Sequence, residues 1–483
     1  MKYACVLVIA VIAVMSWAGK TYCQSYKPTI EYRACPIKTG PGVVSVCGYL
    51  VAPEDRRKPN GAKLKVPFIF VRKPGMSAKK NISLFTTGGP GYSTIANIDS
   101  IGPDSDWMSF GGFIAFDQRG SNRSIPCLEC PAVTEAIRCI YREGLNRDSL
   151  ILRAVKECQA GFASRGINLS AYNTIESAED INDLRLALQI DSLNLVGISY
   201  SGGLMLTVAR NHPEAVRCLI LGSPLPGFVN YEEHALFNIN EALNQVFNYY
   251  EADPASAGKY GDLRTRFHDY FTAVTSRKFT FTYWEKSAKD SIRVSYGKDE
   301  LMDAILDRMN TAGFKELPHV MDDLIRGNHL AYVAEVLDGY FSARQTLSHG
   351  MRYSLYCTEQ IAYSDRALVA RQEQLLPWLA GFAFNNVDHS ICQCWKTKPE
   401  SALAKTPVYS AVPALIAAGD IDPWCPPFYN RLIQRTMPNA QLLIFKKRGH
   451  TPGYSAGGVS YLRQFLDNPY RKLSTASDAV TIE

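Results

Sequence analysis

Leu195-Val196-Gly197-Ile198-Ser199-Tyr200-Ser201-Gly202-Gly203 is an apolar run that breaks on a serine hemmed in by small residues. A serine at the tip of a sharp strand-to-helix turn needs small neighbours two positions before and after it, because the backbone passes close on both sides. Gly197 and Ser201 hold those positions, and Gly202 and Gly203 add further room. Read this way, Leu193–Val196 is a strand, Ser201–Asn211 is the helix that follows, and Ser199 is a nucleophile presented between them. So short a string recurs by chance, and its weight comes from what surrounds it.

Working outward, short apolar runs alternate with helical patterns. Val66–Val71, Ile82–Thr87, Phe113–Phe116, Leu193–Val196 and Cys218–Leu221 read as strands; after a long gap, so do Ala414–Ala418 and Leu442–Phe445. Near-continuous apolar runs belong to strands covered on both faces, as in a largely parallel sheet. Ser177–Gln189 reads as a helix with Ile181, Leu184 and Leu188 on one face, and Asn173 and Thr174 offer capping side chains ahead of it. The expected fold class is α/β, a mostly parallel sheet with helices on both faces. Residues 231–405 break the alternation. They are rich in aromatics and helical periodicity, with one alternating pair of runs, Phe279–Tyr283 and Ile292–Tyr296. They are expected to form a mainly helical cap inserted into a sheet domain made of 24–230 and 406–470, with 471–483 as a tail.

At 483 residues the chain exceeds the usual single-domain size, which suits an inserted cap. Its 46% hydrophobic and 20% charged content is that of an ordinary globular protein. A formal net charge of +6 is mild, and no Lys/Arg cluster is interleaved with aromatics, so nucleic acid is not an expected partner. Lys446-Lys447-Arg448 reads as a solvated loop. Residues 1–23 read as an export signal: Lys2, the apolar run Val6–Met15, then the small residues Ser16 and Ala18, with cleavage near 18–23. Tyr3 to Gly19 carries no charge, which leaves an uncleaved anchor open; no later stretch has the length and apolarity of a membrane span. An exported chain can keep disulfides, and the 13 cysteines fit that compartment. Cys35 and Cys47 are expected to form a local bridge, Cys127, Cys130, Cys139 and Cys158 to pair among themselves, and Cys357, Cys392 and Cys394 to form a third group. None has the doubled Cys-x-x-Cys spacing of a zinc site, and no metal is expected. Asn81, Asn122 and Asn168 begin formal glycosylation sequons.

A serine hydroxyl needs a base beside it, and the base needs an acid to orient it. On a parallel sheet these groups sit at strand ends, in the chain order Ser, then Asp or Glu, then His. Ala414–Ala418 ends in Gly419-Asp420-Ile421-Asp422-Pro423, and Leu442–Phe445 runs into Lys446-Lys447-Arg448-Gly449-His450. The expected catalytic group is therefore Ser199, Asp422 and His450. Asp422 is favoured over Asp420 because it lies farther into its loop, where it can turn back toward His450. A developing oxyanion needs two backbone amides. Tyr200, directly after the nucleophile, is expected to give one. Gly89, in the loop Thr87-Gly88-Gly89-Pro90-Gly91, is expected to give the other, with Gly88 letting the main chain approach the substrate. Asp117 and Arg119 are expected to form a structural ion pair beneath that loop.

These segments also carry a resemblance. Gly88–Gly91, Asp117-Gln118-Arg119-Gly120 with Ser124, Pro126 and Cys127, Ala178-Glu179-Asp180 with Leu184, Arg185 and Leu188, and the turn at Ser199 resemble the exported tripeptidyl-aminopeptidase-like branch of the prolyl iminopeptidase family. Tyr296–Leu301, Cys357-Thr358-Glu359, Cys394-Trp395 and Asp422-Pro423 are similar to that branch's later segments, so the likeness covers roughly residues 45–465. It implies an α/β-hydrolase fold with a helical cap, the triad Ser199, Asp422 and His450, and serine-dependent release of residues from peptide N-termini. No metal or organic cofactor is implied. Two departures stand out: Ser201 replaces the usual glycine, and Gly222 stands where the branch commonly carries aspartate. An aminopeptidase must also hold a free ammonium group, which calls for a carboxylate in the cap. Glu359 is the first candidate, with Glu232 and Glu233 after it. The expected partners are peptides with a free N-terminus, and the expected location is secreted or periplasmic. An esterase or lipase on the same triad is the alternative among enzymes. A non-catalytic binding protein on the same fold is the alternative outside them. The sequence leaves the oligomeric state open.

Overall fold

The computed structural model describes residues 26–483, apart from 106, 107, 109, 311, 312, 343–345, 475 and 476. The expected signal segment lies outside the described residues.

One ten-stranded sheet organises the chain. Its strands are β1 (Thr29–Arg33), β2 (Val44–Pro53), β3 (Lys63–Arg72), β4 (Ile82–Thr86), β5 (Gly112–Phe116), β6 (Leu193–Ile198), β7 (Val216–Gly222), β8 (Ala414–Gly419), β9 (Ala440–Phe445) and β10 (Val480–Ile482). Their spatial order is β1-β2-β3-β5-β4-β6-β7-β8-β9-β10. From β5 to β9 all neighbours are parallel, with antiparallel strands added at both edges. The apolar runs of the central strands have a direct explanation. Alternate residues face opposite sides: Leu195, Leu219, Ile416 and Leu442 enter one core, and Val196, Ile220, Ala417 and Leu443 another. Every run expected to be a strand falls on one, although β4 ends at Thr86, one residue short of the expected Thr87. The edge strands β1 and β10 carry no such run, and residues 471–483 are more than a tail. Val480–Ile482 pairs with Leu443–Phe445, and Glu483 takes both its carboxylate oxygens to Arg431 at 2.9 and 2.8 Å.

The helix expected over 177–189 spans Thr174–Ala187, capped by the Asn173 side chain, which accepts the Glu176 amide at 2.8 Å. Asp117 and Arg119 do not pair with each other. Asp117 turns toward the loop after β4, where it accepts the Ser93 hydroxyl and the amides of Thr94 and Ile95. Arg119 points the other way, forking onto Asp180 at 2.7 and 2.8 Å with Arg56 on the same carboxylate. Both are structural, with separate partners.

Between β7 and β8 the chain leaves the sheet. Helices Ala235–Glu251, Leu263–Ala273, Lys298–Asn310, Leu317–Ile325 and Leu330–Tyr340 and the hairpin Phe279–Glu285/Asp290–Tyr296 enclose a second core around Phe247, Phe267, Phe271 and Leu301. The insertion is not uniform. Met351, Tyr353, Leu355, Ile391 and Trp395 pack into the core of the sheet instead. Cys357–Cys392 ties these two later segments together, and Cys35–Cys47 and Cys130–Cys158 are the other bridges among the described residues. Cys127, Cys139 and Cys394 stay free. Among the described residues no helix is long and apolar enough to cross a membrane.

Candidate active site

The turn after β6 has the geometry that its small residues require. Ser199 has φ 57° and ψ −125°, a strained backbone for a residue with a side chain, and Tyr200 opens the helix Tyr200–Asn211. A methyl group at Gly197 would stand 2.6 Å from the Ser201 carbonyl oxygen, so the turn closes only over glycine. Ser201 departs from the usual pattern usefully: its hydroxyl lies 2.7 Å from the Thr86 carbonyl and 2.8 Å from the Ile198 amide, tying the turn to β4.

Three strand ends converge on this turn. Asp422, beyond β8, is fully buried and accepts His450 Nδ1 at 2.9 Å on one oxygen. The amides of Trp424 and Cys425 reach the other oxygen at 2.9 and 3.0 Å. Burial opposes ionisation of Asp422, but the His450 ring and these hydrogen bonds win and hold the carboxyl below its ordinary range. With Nδ1–H facing Asp422, His450 Nε2 is left as an acceptor. The link to Ser199 runs through neighbours. Burial pushes the thiol of Cys425, beside Ser199, far above its usual range. On the other side, Ser199 N donates to Gly222 O at 3.0 Å, and the next residue, Ser223, accepts the Thr451 amide at 3.1 Å. The loop of His450 is thus tied through Thr451, Ser223 and Gly222 to the Ser199 turn. The Ser199 hydroxyl makes no hydrogen bond to the imidazole here, a contact that commonly tightens only when substrate is bound.

Opposite the turn lies the glycine loop. A methyl group at Gly88 would meet Ser199 Cβ at 3.0 Å and Ile198 O at 2.5 Å. Gly89 has φ 120°, open to glycine alone, and Arg352 holds its carbonyl at 3.0 Å. Among the described residues neither the Gly89 amide nor the Tyr200 amide has an acceptor. The Tyr200 amide is also the first of its helix, at the positive end of the dipole.

The loop after β8 and the cap supply the remaining walls. Trp424 packs on His450 with ring centres 5.4 Å apart, and Phe384 stacks on Trp424 at 5.8 Å. The next residue, Asn385, joins Arg352 to Glu232, at 3.0 and 2.5 Å. Glu232 is half-buried, and burial pushes its carboxyl up to about 7. Glu359 stands elsewhere. It is buried beneath Tyr200, with both oxygens taken by the Thr174 amide and hydroxyl at 2.5 and 2.6 Å, and burial pushes it up to about 7 as well. Glu233 accepts the Asp365 amide at 2.7 Å. Arg352, Ser223 and Cys425 had no signal in the sequence. Arg352 lies 263 residues from Gly89, and no local pattern can announce such a contact.

A family model described as alpha/beta hydrolase fold matches residues 112–455. The chain belongs to the α/β hydrolases. Among curated relatives, this hydrolase is 23% identical to serine protease Hip1 of Mycobacterium tuberculosis strain H37Rv over 430 residues, covering 84% of this chain and 80% of that protein. It is 27% identical to a tripeptidyl aminopeptidase of Streptomyces coelicolor over 188 residues, 37% of this chain and 34% of that one. Among solved structures, the esterase RhEst1 of Rhodococcus sp. ECU1013 aligns at 12% identity and a TM-score of 0.37, covering 83% of this chain and 95% of that one.

Proposed function

We propose that this α/β hydrolase is an exported serine aminopeptidase that releases residues or short peptides from peptide N-termini through an acyl-enzyme. The observation that carries the chemistry is the His450–Asp422 hydrogen bond in a loop tied through Thr451, Ser223 and Gly222 to the Ser199 turn. In this reading His450 Nε2 takes the proton of Ser199 Oγ as the hydroxyl attacks the scissile carbonyl. Asp422 fixes the imidazole tautomer and balances the positive charge that forms. The amides of Gly89 and Tyr200 hold the oxyanion. His450 then protonates the leaving amine, and water, activated by the same imidazole, hydrolyses the ester at Ser199.

The restriction to N-termini comes from the cap. We assign the substrate ammonium group to Glu232 rather than Glu359, whose oxygens Thr174 already occupies. Glu232 is partly open, has one oxygen on Asn385, and is linked through Asn385 and Arg352 to the glycine loop. The tripeptidyl aminopeptidase likeness supports a peptide substrate, and three disulfides suit a chain that works outside the reducing cytosol. The test compares a tripeptide amide with its N-acetylated form and with a short-chain ester. Cleavage of the free peptide well above the blocked one is expected. Equal cleavage of both removes the exopeptidase reading, and turnover of the ester alone favours an esterase on the same triad.

A further inference from the structure

The loop that carries His450 leaves β9 at Phe445, and the cap touches it in two places. His450 N donates to Met309 O at 3.0 Å, near the end of the cap helix Lys298–Asn310. Gly449 packs so closely on that carbonyl that no side chain fits there. The second contact runs through Asp420, at the end of β8. One of its oxygens accepts the Lys447 amide at 2.7 Å, and Tyr249 of the cap helix Ala235–Glu251 donates its hydroxyl to the other. The Lys447 ammonium lies over the rings of Tyr249 and Phe314, 5.0 and 5.5 Å from their centres. The loop has little regular structure of its own, and Lys447 and Thr451 both sit at φ 56°. Its shape is imposed by its neighbours.

We propose that Tyr249 and Asp420 form a latch through which the cap sets the position of His450. Asp420 is then a positioning residue, distinct from the Asp422 that touches the imidazole. The inference rests on the triad reading above. A cap lifted from its seat would release the Tyr249 and Met309 contacts together, so the imidazole is in place for Ser199 only when the cap is closed over the cleft. Chemistry and closure are thereby coupled, and a peptide is not committed to attack in an open site.

The test uses the full chain with Tyr249→Phe, Asp420→Asn, the double variant, and Tyr250→Phe as control. The Tyr250 hydroxyl bonds Phe314 O within the cap and does not reach the His450 loop. Two quantities are read: kcat and KM on a free-amine tripeptide amide, and the rate at which a fluorophosphonate modifies Ser199. Tyr249→Phe and Asp420→Asn should each lower kcat and the modification rate by ~10- to ~100-fold, the scale on which a misplaced catalytic group is felt. KM should stay within about twofold, because substrate contacts are untouched. The double variant should be no worse than the weaker single one, since both act through one contact. Tyr250→Phe should match the wild type. If Asp420→Asn does not fold, Tyr249→Phe, which removes a single oxygen, decides alone. A folded Tyr249→Phe with wild-type kcat and modification rate overturns the latch. A folded wild type that ignores the fluorophosphonate removes the triad reading instead, and the latch with it.

Discussion

His450 Nδ1 stands 2.9 Å from Asp422 Oδ2, and the other oxygen of that carboxylate is held by the amides of Trp424 and Cys425. The aspartate is thus fixed from both sides before it meets the imidazole. Asp422→Asn keeps the shape but offers an N–H where the ring needs an acceptor, which favours the wrong tautomer. The expected loss is ~10³- to ~10⁴-fold in kcat. Steady-state kinetics check it, with circular dichroism to establish that the variant is folded.

The Glu232 carboxyl, pushed up to about 7 by burial, gives a pH signature. Below that value it is protonated and cannot pair with a substrate ammonium; above it the pair forms. For free-amine peptides kcat/KM should therefore fall as pH drops below about 7. A short ester, which carries no ammonium, should lack that loss. Glu232→Gln should cost peptide turnover ~10-fold or more, the scale of a charge-assisted hydrogen bond, and leave ester turnover near wild type. Paired pH profiles of the two substrates measure it.

Asp180 is wholly buried between Arg119 and Arg56. Burial raises its pKa, but the two guanidinium charges more than offset that, and the folded value lies below the ordinary one. Such a group stabilises the fold above its unfolded pKa, and the contribution is lost as pH falls through the folded value. Asp180→Asn should cost ~3–5 kcal/mol at neutral pH, the scale of breaking a buried ion pair. The gap in urea midpoint between variant and wild type should narrow below pH ~4, where the unfolded carboxyl is already protonated.

Two small-residue positions should behave oppositely. Gly88→Ala puts a methyl group 2.5 Å from Ile198 O and 3.0 Å from Ser199 Cβ, and should abolish measurable turnover. Ser201→Gly removes only the hydroxyl, with its ties to Thr86 O and the Ile198 amide, and should cost ~1 kcal/mol of stability, with kcat within about threefold of wild type. Thermal melts and kinetics on the two variants separate packing at the nucleophile from bracing of the turn.

What could be read from the sequence follows from how local each signal is. The turn at Ser199 and the central strands are written in contiguous residues, because a strand buried on both faces must be apolar along its whole length. The edge strands Thr29–Arg33 and Val480–Ile482 are short and only partly covered, so they carry no run to find. The same holds for pairings. Asp117 and Arg119 are close in the chain, yet each is drawn to a partner on its own side of the segment. The cap is divided in space where the sequence shows one aromatic stretch, because Met351 and Trp395 pack with the sheet and Phe267 and Leu301 with each other. Glu359 looked apt beside Cys357, but Thr174, 185 residues away, takes both its oxygens.

The most direct measurement is peptide mapping by mass spectrometry after fluorophosphonate treatment of the intact chain. A single adduct on Ser199 is expected, absent in Ser199→Ala and formed ~10³-fold more slowly, or worse, in His450→Ala. An adduct on another residue, or equal labelling of Ser199 with and without the imidazole, would contradict the account.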